Sequence, residues 1–314
     1  MPHFIIPFAL CSLFFSTHFF ATPKSSRMLA VAGIKIGGDK VEIPRAAPPA
    51  VPVQLNNAST SPEFSAASVL IKDEVSGLAL LTKDSYAERP MASITKLMSA
   101  LVLFEQVTDW QTTTTVGRAD LNDPHLASGE VYKLDDLWTA GLVASSNKAI
   151  LALVEASHLN EATFVARMNT KATELGLLKT HFVEPTGLDS GNVSTASDIA
   201  ILLAEALRNE KISTTLRTTE YTLRPIGLSK QKHHFWNTNW LRLGWIPNGF
   251  SSSTPIIGKT GYTDAALYNV AVRIAHPDGR VVLAVVLGSS TNESRFVEAK
   301  LAADWAFANF SWPE

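Results

Sequence analysis

A serine and a lysine three positions apart can act as a nucleophile and its base when a helix carries both, because residues i and i+3 lie on one helix face. Ser93-Ile94-Thr95-Lys96 has that spacing, at the start of a stretch where Leu97, Ala100, Leu101 and Phe104 recur at helical period. The chemistry open to such a pair is covalent: the hydroxyl attacks a carbonyl and the amine takes its proton. That amine must be neutral, and burial or a second cation nearby lowers a lysine pKa from ~10.4. The spacing alone is common, and two more S-x-x-K runs begin at Ser145 and Ser229, where a solvated helix surface is the default reading. Context separates Ser93 from them. Ala144-Ser145-Ser146-Asn147-Lys148-Ala149 supplies an S-x-N between two helical stretches, and Gly258-Lys259-Thr260-Gly261 supplies a K-T-G just before a strand pattern.

These three groups lie far apart in the chain, so the elements around them must bring them together. Short β-rich runs at 67–71 and 78–81, separated by Asp73-Glu74-Val75-Ser76-Gly77, read as a hairpin. A buried amphipathic helix is expected over 93–107, and several helices joined by Gly- and Pro-bearing loops over 134–207. Apolar runs at 267–274 and 281–287 flank Pro277-Asp278-Gly279 as strand, tight turn and strand, and a last helix spans 293–310. Strands, then helices, then strands and a helix describe an α+β domain whose antiparallel sheet is built from both chain ends and flanked by helices. The sequence shows no internal repeat.

The trio, in this order and setting, resembles the signature of the penicillin-recognising serine enzymes. Ala92-Ser93-Ile94-Thr95-Lys96-Leu97-Met98, His181-Phe182-Val183-Glu184-Pro185-Thr186-Gly187-Leu188, Ser194-Thr195-Ala196, Asn237-Thr238-Asn239 and Lys259-Thr260-Gly261-Tyr262-Thr263-Asp264 carry it further. Over 64–310 the chain resembles the D-alanyl-D-alanine carboxypeptidase family of low-molecular-mass penicillin-binding proteins. The wording around Glu184, where carboxypeptidases more often have Asn, is closest to the D,D-endopeptidase branch. The chain also stops soon after its last helix, without the β domain and amphipathic membrane helix that such carboxypeptidases often add, so no C-terminal membrane anchor is expected.

The resemblance implies a β-lactamase/transpeptidase-like fold with a mainly helical subdomain. It implies an exported serine D,D-peptidase that hydrolyses D-alanyl bonds in peptidoglycan stem peptides and cross-links and is inhibited when β-lactam antibiotics acylate it. Ser93 would be the nucleophile and Lys96 its base. Ser145 would pass a proton to the leaving amine, and Asn147 would hold the substrate amide and steady Lys96. Lys259 would lower the Lys96 pKa and supply positive potential for a carboxylate. Thr260 and the Gly261-Tyr262 strand would bind substrate, with the Ser93 and Tyr262 N–H groups holding the oxyanion. Arg295 would lie near the substrate's terminal carboxylate, after a one-residue shift in the 289–294 loop. Leu267 replaces a glycine usual in the family. No metal or cofactor is required.

Two other readings stay open at this point. A serine β-lactamase needs a glutamate to activate the deacylating water, but Glu184 sits in F-V-E-P-T-G-L and no E-x-x-L-N occurs. A non-catalytic penicillin-binding sensor would be expected to carry a dead nucleophile or a signalling segment. An esterase elbow is excluded, since no serine has glycine at both −2 and +2. His233-His234 lacks zinc-ligand spacing and reads as an exposed loop.

The 314 residues are 46% apolar and 18% charged, enough apolar material for a sizeable core. The net charge of −2 provides no basic surplus for nucleic acid. Residues 1–23 carry no Asp, Glu, Lys or Arg, and 4–20 are almost wholly apolar, short of the ~20 that span a bilayer. Residues 1–32 therefore read as an export signal and leader, cut after Ala21 or near Ala30-Val31-Ala32, with an uncleaved tether as the alternative. Export places the protein in the periplasm or cell-wall space. The single cysteine, Cys11, lies in this run, so the mature chain has no disulfide chemistry. Residues 33–63, with Pro44, Pro48, Pro49, Pro52 and Pro62, read as a linker, leaving 64–314 as the catalytic domain.

Overall fold

The strands at the two ends of the chain are apolar at consecutive positions, the pattern of strands covered on both faces. The computed structural model describes residues 50–227, 231–250 and 255–313. The 1–32 leader with Cys11, the linker up to 49, and Ser229 with Lys230 of the other S-x-x-K lie outside the described residues. Five strands form one antiparallel sheet: β1 (Ser68–Asp73), β2 (Ala79–Lys83), β3 (Ile257–Thr263), β4 (Leu267–Ala275) and β5 (Val281–Ser289). Their order is β3-β4-β5-β1-β2, so the last strand of this sheet in chain order pairs with its first, Val285 opposite Leu70. The hairpin turns follow their local chemistry. Asp73 Oδ2 accepts from the Ser76 amide, and Gly77 and Gly279 take positive φ where the chain reverses.

Among the described residues, seven longer helices accompany the sheet: α1 (Lys96–Gln106), α2 (Leu134–Val143), α3 (Asn147–Ala156), α4 (Glu161–Glu174), α5 (Ala196–Arg208), α6 (Glu210–Arg217) and α7 (Ser294–Asn309). Alternation along the strands sorts the core. Val69, Ile71, Val282, Ala284 and Val286 pack with Phe296, Ala299 and Ala303 of α7. Leu70, Leu283, Val285 and Leu287 join α1, α2 and α5 in the larger helical core. Burial on both sides explains why 281–287 reads as an unbroken apolar run and not as an alternating one.

The final part of the segment read as a linker is docked. Val53 and Gln54 pair with Ser311 and Phe310, the Leu55 amide donates to Asn309 O at 2.9 Å, and Trp305 Nε1 donates to Thr60 O at 3.0 Å. Proline blocks regular structure but leaves edge pairing possible, and the C-terminal end of α7 with Phe310–Ser311 offers the partners.

Candidate active site

Ser93 sits in a 3-10 turn, Ala92–Thr95, that runs directly into α1. With three residues per turn, i and i+3 eclipse, so the turn stacks Ser93 over Lys96 more closely than an α-helix would. Lys96 Nζ lies 2.8 Å from Ser93 Oγ, 2.6 Å from Asn147 Oδ1 and 2.7 Å from Thr186 O. A neutral amine has two N–H bonds and one lone pair. The Asn147 and Thr186 oxygens take the two N–H bonds, which leaves the lone pair facing the Ser93 hydroxyl.

The S-x-N motif is a helix stop followed by a helix start. α2 ends at Val143, and Ser145 adopts φ +63°, the left-handed position where helices commonly carry glycine. Its neighbour Ser146 caps α3: its hydroxyl accepts from the Ala149 amide at 3.0 Å and donates to Asp123 Oδ2 at 2.7 Å. The variable position of the motif is thus the residue that fixes Asn147 at the first turn of α3. Ser145 Oγ accepts from Lys259 Nζ at 2.8 Å, so the second and third motifs meet directly.

K-T-G lies on β3, an edge strand that among the described residues pairs only with β4. Thr260 Oγ1 donates to Thr238 Oγ1 at 2.6 Å. A Cβ on Gly261 would come within 2.7 Å of Met91 O and 3.1 Å of the Ser93 nitrogen, so only glycine lets β3 lie against the serine turn. The outer edge of such a strand can take an extended peptide by main-chain pairing.

Burial governs the charges. Lys96 and Lys259 are almost fully buried. Burial lowers the Lys96 pKa to about 7, against the raising effect of Glu184 and Asp123. Lys259 is held well below the usual lysine range by burial, with the Lys96 and Arg295 charges acting in the same direction. Desolvation is the larger cause for both amines, and their mutual repulsion disfavours carrying both charges at once.

The loop carrying Glu184 supports this arrangement. Glu184 Oε2 accepts from the Thr186 amide at 2.7 Å and the Thr186 hydroxyl at 2.6 Å, while Oε1 accepts from Gly187 N and from Asn192 Nδ2 at 2.8 Å. This clamp aims the Thr186 carbonyl at Lys96. Gly187 has φ +90°, and a Cβ there would stand 2.0 Å from Ala92 O. Ala92 itself has φ +49°, so the serine turn combines non-glycine strain with a glycine contact.

Ser93, Lys96, Ser145, Asn147, Lys259 and Thr260 thus form one connected constellation. Tyr262 follows on β3, its exposed ring stacked on Tyr268 at 4.3 Å and its hydroxyl donating to Asp264 at 2.8 Å. Arg295 is buried against the strands. Its Nη1 donates to Gly261 O at 3.0 Å and to Asn269 O at 3.2 Å, and Nη2 donates to Asn292. Nη1 is engaged with two backbone carbonyls and Nη2 with a side chain, while the buried Nε has no partner among the described residues, so the guanidinium touches the K-T-G strand itself. Leu267 has φ +55° at the start of β4, which gives the physical reason a glycine suits that position. His233 and His234 lie on a strand, His233–Trp236, not in a loop, and His233 Nε2 lies 3.1 Å from Glu130. Sequence reasoning passed over the Thr186 carbonyl, Ser146 as a cap, Asp123 and the Thr238 hydroxyl. Only Ser146 had a local signal, a serine just before a helical run.

A family model described as D-alanyl-D-alanine carboxypeptidase matches residues 55–291. The chain is 31% identical to a D-alanyl-D-alanine carboxypeptidase of Bacillus subtilis, over 84% of this chain and 68% of that protein. It is 30% identical to a D-alanyl-D-alanine endopeptidase of Escherichia coli, over 79% of each. The solved DD-transpeptidase of Streptomyces K15 superposes with a TM-score of 0.70 at 26% identity, covering 80% of this chain and 100% of that one.

Proposed function

The chain belongs to the D-alanyl-D-alanine carboxypeptidase family, and from that premise we propose how its residues work and which bond it prefers. It is a serine-type D,D-peptidase acting on peptidoglycan, and acylation by β-lactams is typical of its family. The observation that carries our assignment of roles is the three-way contact of the Lys96 amine with Ser93, Asn147 and Thr186.

Ser93 gives its proton to Lys96 as Oγ bonds to the D-alanyl carbonyl carbon. The oxygen of that carbonyl becomes an oxyanion, held by the backbone N–H groups of Ser93 and Tyr262. Ser93 opens a helical turn, where N–H groups have no intrahelical acceptor. The C–N bond then breaks as the proton held by Lys96 passes through Ser145, which Lys259 contacts, to the leaving amine, and Lys96 is neutral again. In the second half a water attacks the ester, Lys96 takes the water proton, and Oγ leaves as the restored serine hydroxyl. Thr260, on the edge strand, hydrogen-bonds the substrate, and Asn147 holds the substrate amide alongside Lys96. A bound carboxylate favours the charged form of Lys259. Arg295 positions the Gly261 carbonyl and so the strand that carries the oxyanion donor.

Within the family we assign the endopeptidase preference, cleavage of cross-links, because of Glu184 in F-V-E-P-T-G-L. Both oxygens of this carboxylate are engaged by its own loop, which favours a lasting penicilloyl adduct over lactamase turnover. The enzyme acts outside the cytoplasm, in the periplasm or cell-wall space, and an uncleaved leader would tether it. Among the described residues no helix is long and apolar enough to cross a membrane.

The test is mass spectrometry of protein lacking residues 1–32 after incubation with benzylpenicillin, a cross-linked muropeptide dimer or a pentapeptide. A persistent Ser93 adduct with dimer cleavage is the expected result. Release of D-alanine from the pentapeptide alone would reassign it as a carboxypeptidase, and penicillin hydrolysis without an adduct would make it a lactamase.

A further inference from the structure

Seven tryptophans occur in the chain, and only Trp236 and Trp245 are exposed, at 49% and 53%. Leaving an indole in water forgoes a large burial energy, and here two stand side by side, with ring centroids 6.2 Å apart. Their placement is rigid. Trp236 ends the strand His233–Trp236, opposite Glu220. Trp245 follows Gly244, whose φ of +74° ends the short helix Trp240–Leu243, and its amide donates to Trp240 O at 3.0 Å. Trp240 lies 5.7 Å from Trp245 and stacks on the buried Phe296 at 5.5 Å, so the exposed rings stand on an aromatic ladder rooted in the core.

The ladder also joins the catalytic groove. Two residues after Trp236, Thr238 Oγ1 accepts from Thr260 of the K-T-G at 2.6 Å. Two residues span at most ~7 Å of backbone, so the strand that carries Trp236 leads directly into the groove wall. Polar groups edge the patch: the His234 ring meets Trp236 edge-on at 5.5 Å, its Nδ1 lies 3.0 Å from Thr222 Oγ1, and its Nε2 lies 3.4 Å from Glu220. Flat apolar faces with a few directed hydrogen-bonding groups suit a pyranose ring, which is apolar on its C–H faces and polar at its rim.

We propose that Trp236 and Trp245 form a saccharide subsite that binds an N-acetylated hexosamine of the glycan strand to which the cleaved peptide is attached. The inference rests on the peptidoglycan D,D-peptidase reading and extends it from the peptide to the sugar. It makes the enzyme prefer peptide still attached to glycan.

The experiment compares the same cross-linked dimer with and without its disaccharides, the latter prepared by amidase digestion, on wild type, Trp236→Ala and Trp245→Ala. Wild type should favour the disaccharide-bearing dimer in kcat/KM by about three- to tenfold, mainly through KM, and each variant should bring the ratio toward one. Stoichiometric labelling by benzylpenicillin checks that each variant is folded. As a measurement that needs no variant, tri-N-acetylchitotriose should quench the tryptophan fluorescence of penicilloylated wild type in a saturable way. Equal rates on the two dimers, an unchanged ratio in both variants, or no saturable quenching would overturn the subsite. Absence of both penicillin labelling and dimer cleavage would instead overturn the D,D-peptidase reading.

Discussion

Acylation of Ser93 should follow the neutral fraction of Lys96. With a pKa of about 7, about half of the molecules hold a free amine at pH 7, about a tenth at pH 6 and about a hundredth at pH 5. An unperturbed lysine would offer less than about one in a thousand at pH 7. The second-order rate of labelling by a fluorescent penicillin, measured from pH 5 to 9 at constant ionic strength, should rise about tenfold per unit up to pH 6 and level off above 7. Glu184 raises the Lys96 pKa through its charge, so Glu184→Gln should move the rising limb to lower pH, even if losing part of the loop clamp lowers the plateau. A rate that stays flat from pH 5 to 8 would refute the assignment of Lys96 as the base. A limb that moves to higher pH in Glu184→Gln would refute the electrostatic account.

Ser93→Ala and Lys96→Ala should each abolish penicillin labelling while circular dichroism is unchanged; full labelling of either removes the assigned pair. Lys259→Ala should slow acylation more than it lowers the melting temperature, because the residue touches Ser145 and no structural cap; an unchanged rate contradicts its role. Gly187→Ala, which puts a Cβ 2.0 Å from Ala92 O at φ +90°, should cost about 3 kcal/mol in denaturant unfolding and displace the serine turn. The Lys96 pKa is lowered on folding, so between about pH 7 and 10.4 the unfolded chain binds more protons, and stability rises with pH across that window. Below about pH 7 the penalty is complete. Lys96→Met should flatten the dependence in urea melts at pH 7 and 9.

Local features carried much of this in the sequence. The motif trio is written in residue types whose chemistry is unusual, and the apolar runs at 267–274 and 281–287 have the period and turn residues of a hairpin that needs no distant partner to be recognised. The antiparallel sheet made from both chain ends followed from the order of the elements. Only tertiary structure decided how far the two lysines are desolvated. Desolvation depends on what surrounds Lys96 in space, and the Thr186 carbonyl that completes its coordination is a backbone atom with no sequence signature, placed by Glu184 and Asn192 from beyond α4. Arg295 shows the same limit. The family resemblance put it near the cleft, but whether its guanidinium faces substrate or the backbone of β3 depends on the packing of α7 against the sheet, and that packing turns it onto Gly261 O. Residues 50–63 read as linker because composition registers proline but not the free edge at Phe310–Ser311 that pairs with them. Residue identity determined which groups could react, and the fold decided which of them share a dry pocket, because pKa and orientation are properties of surroundings that the chain brings together only when it folds.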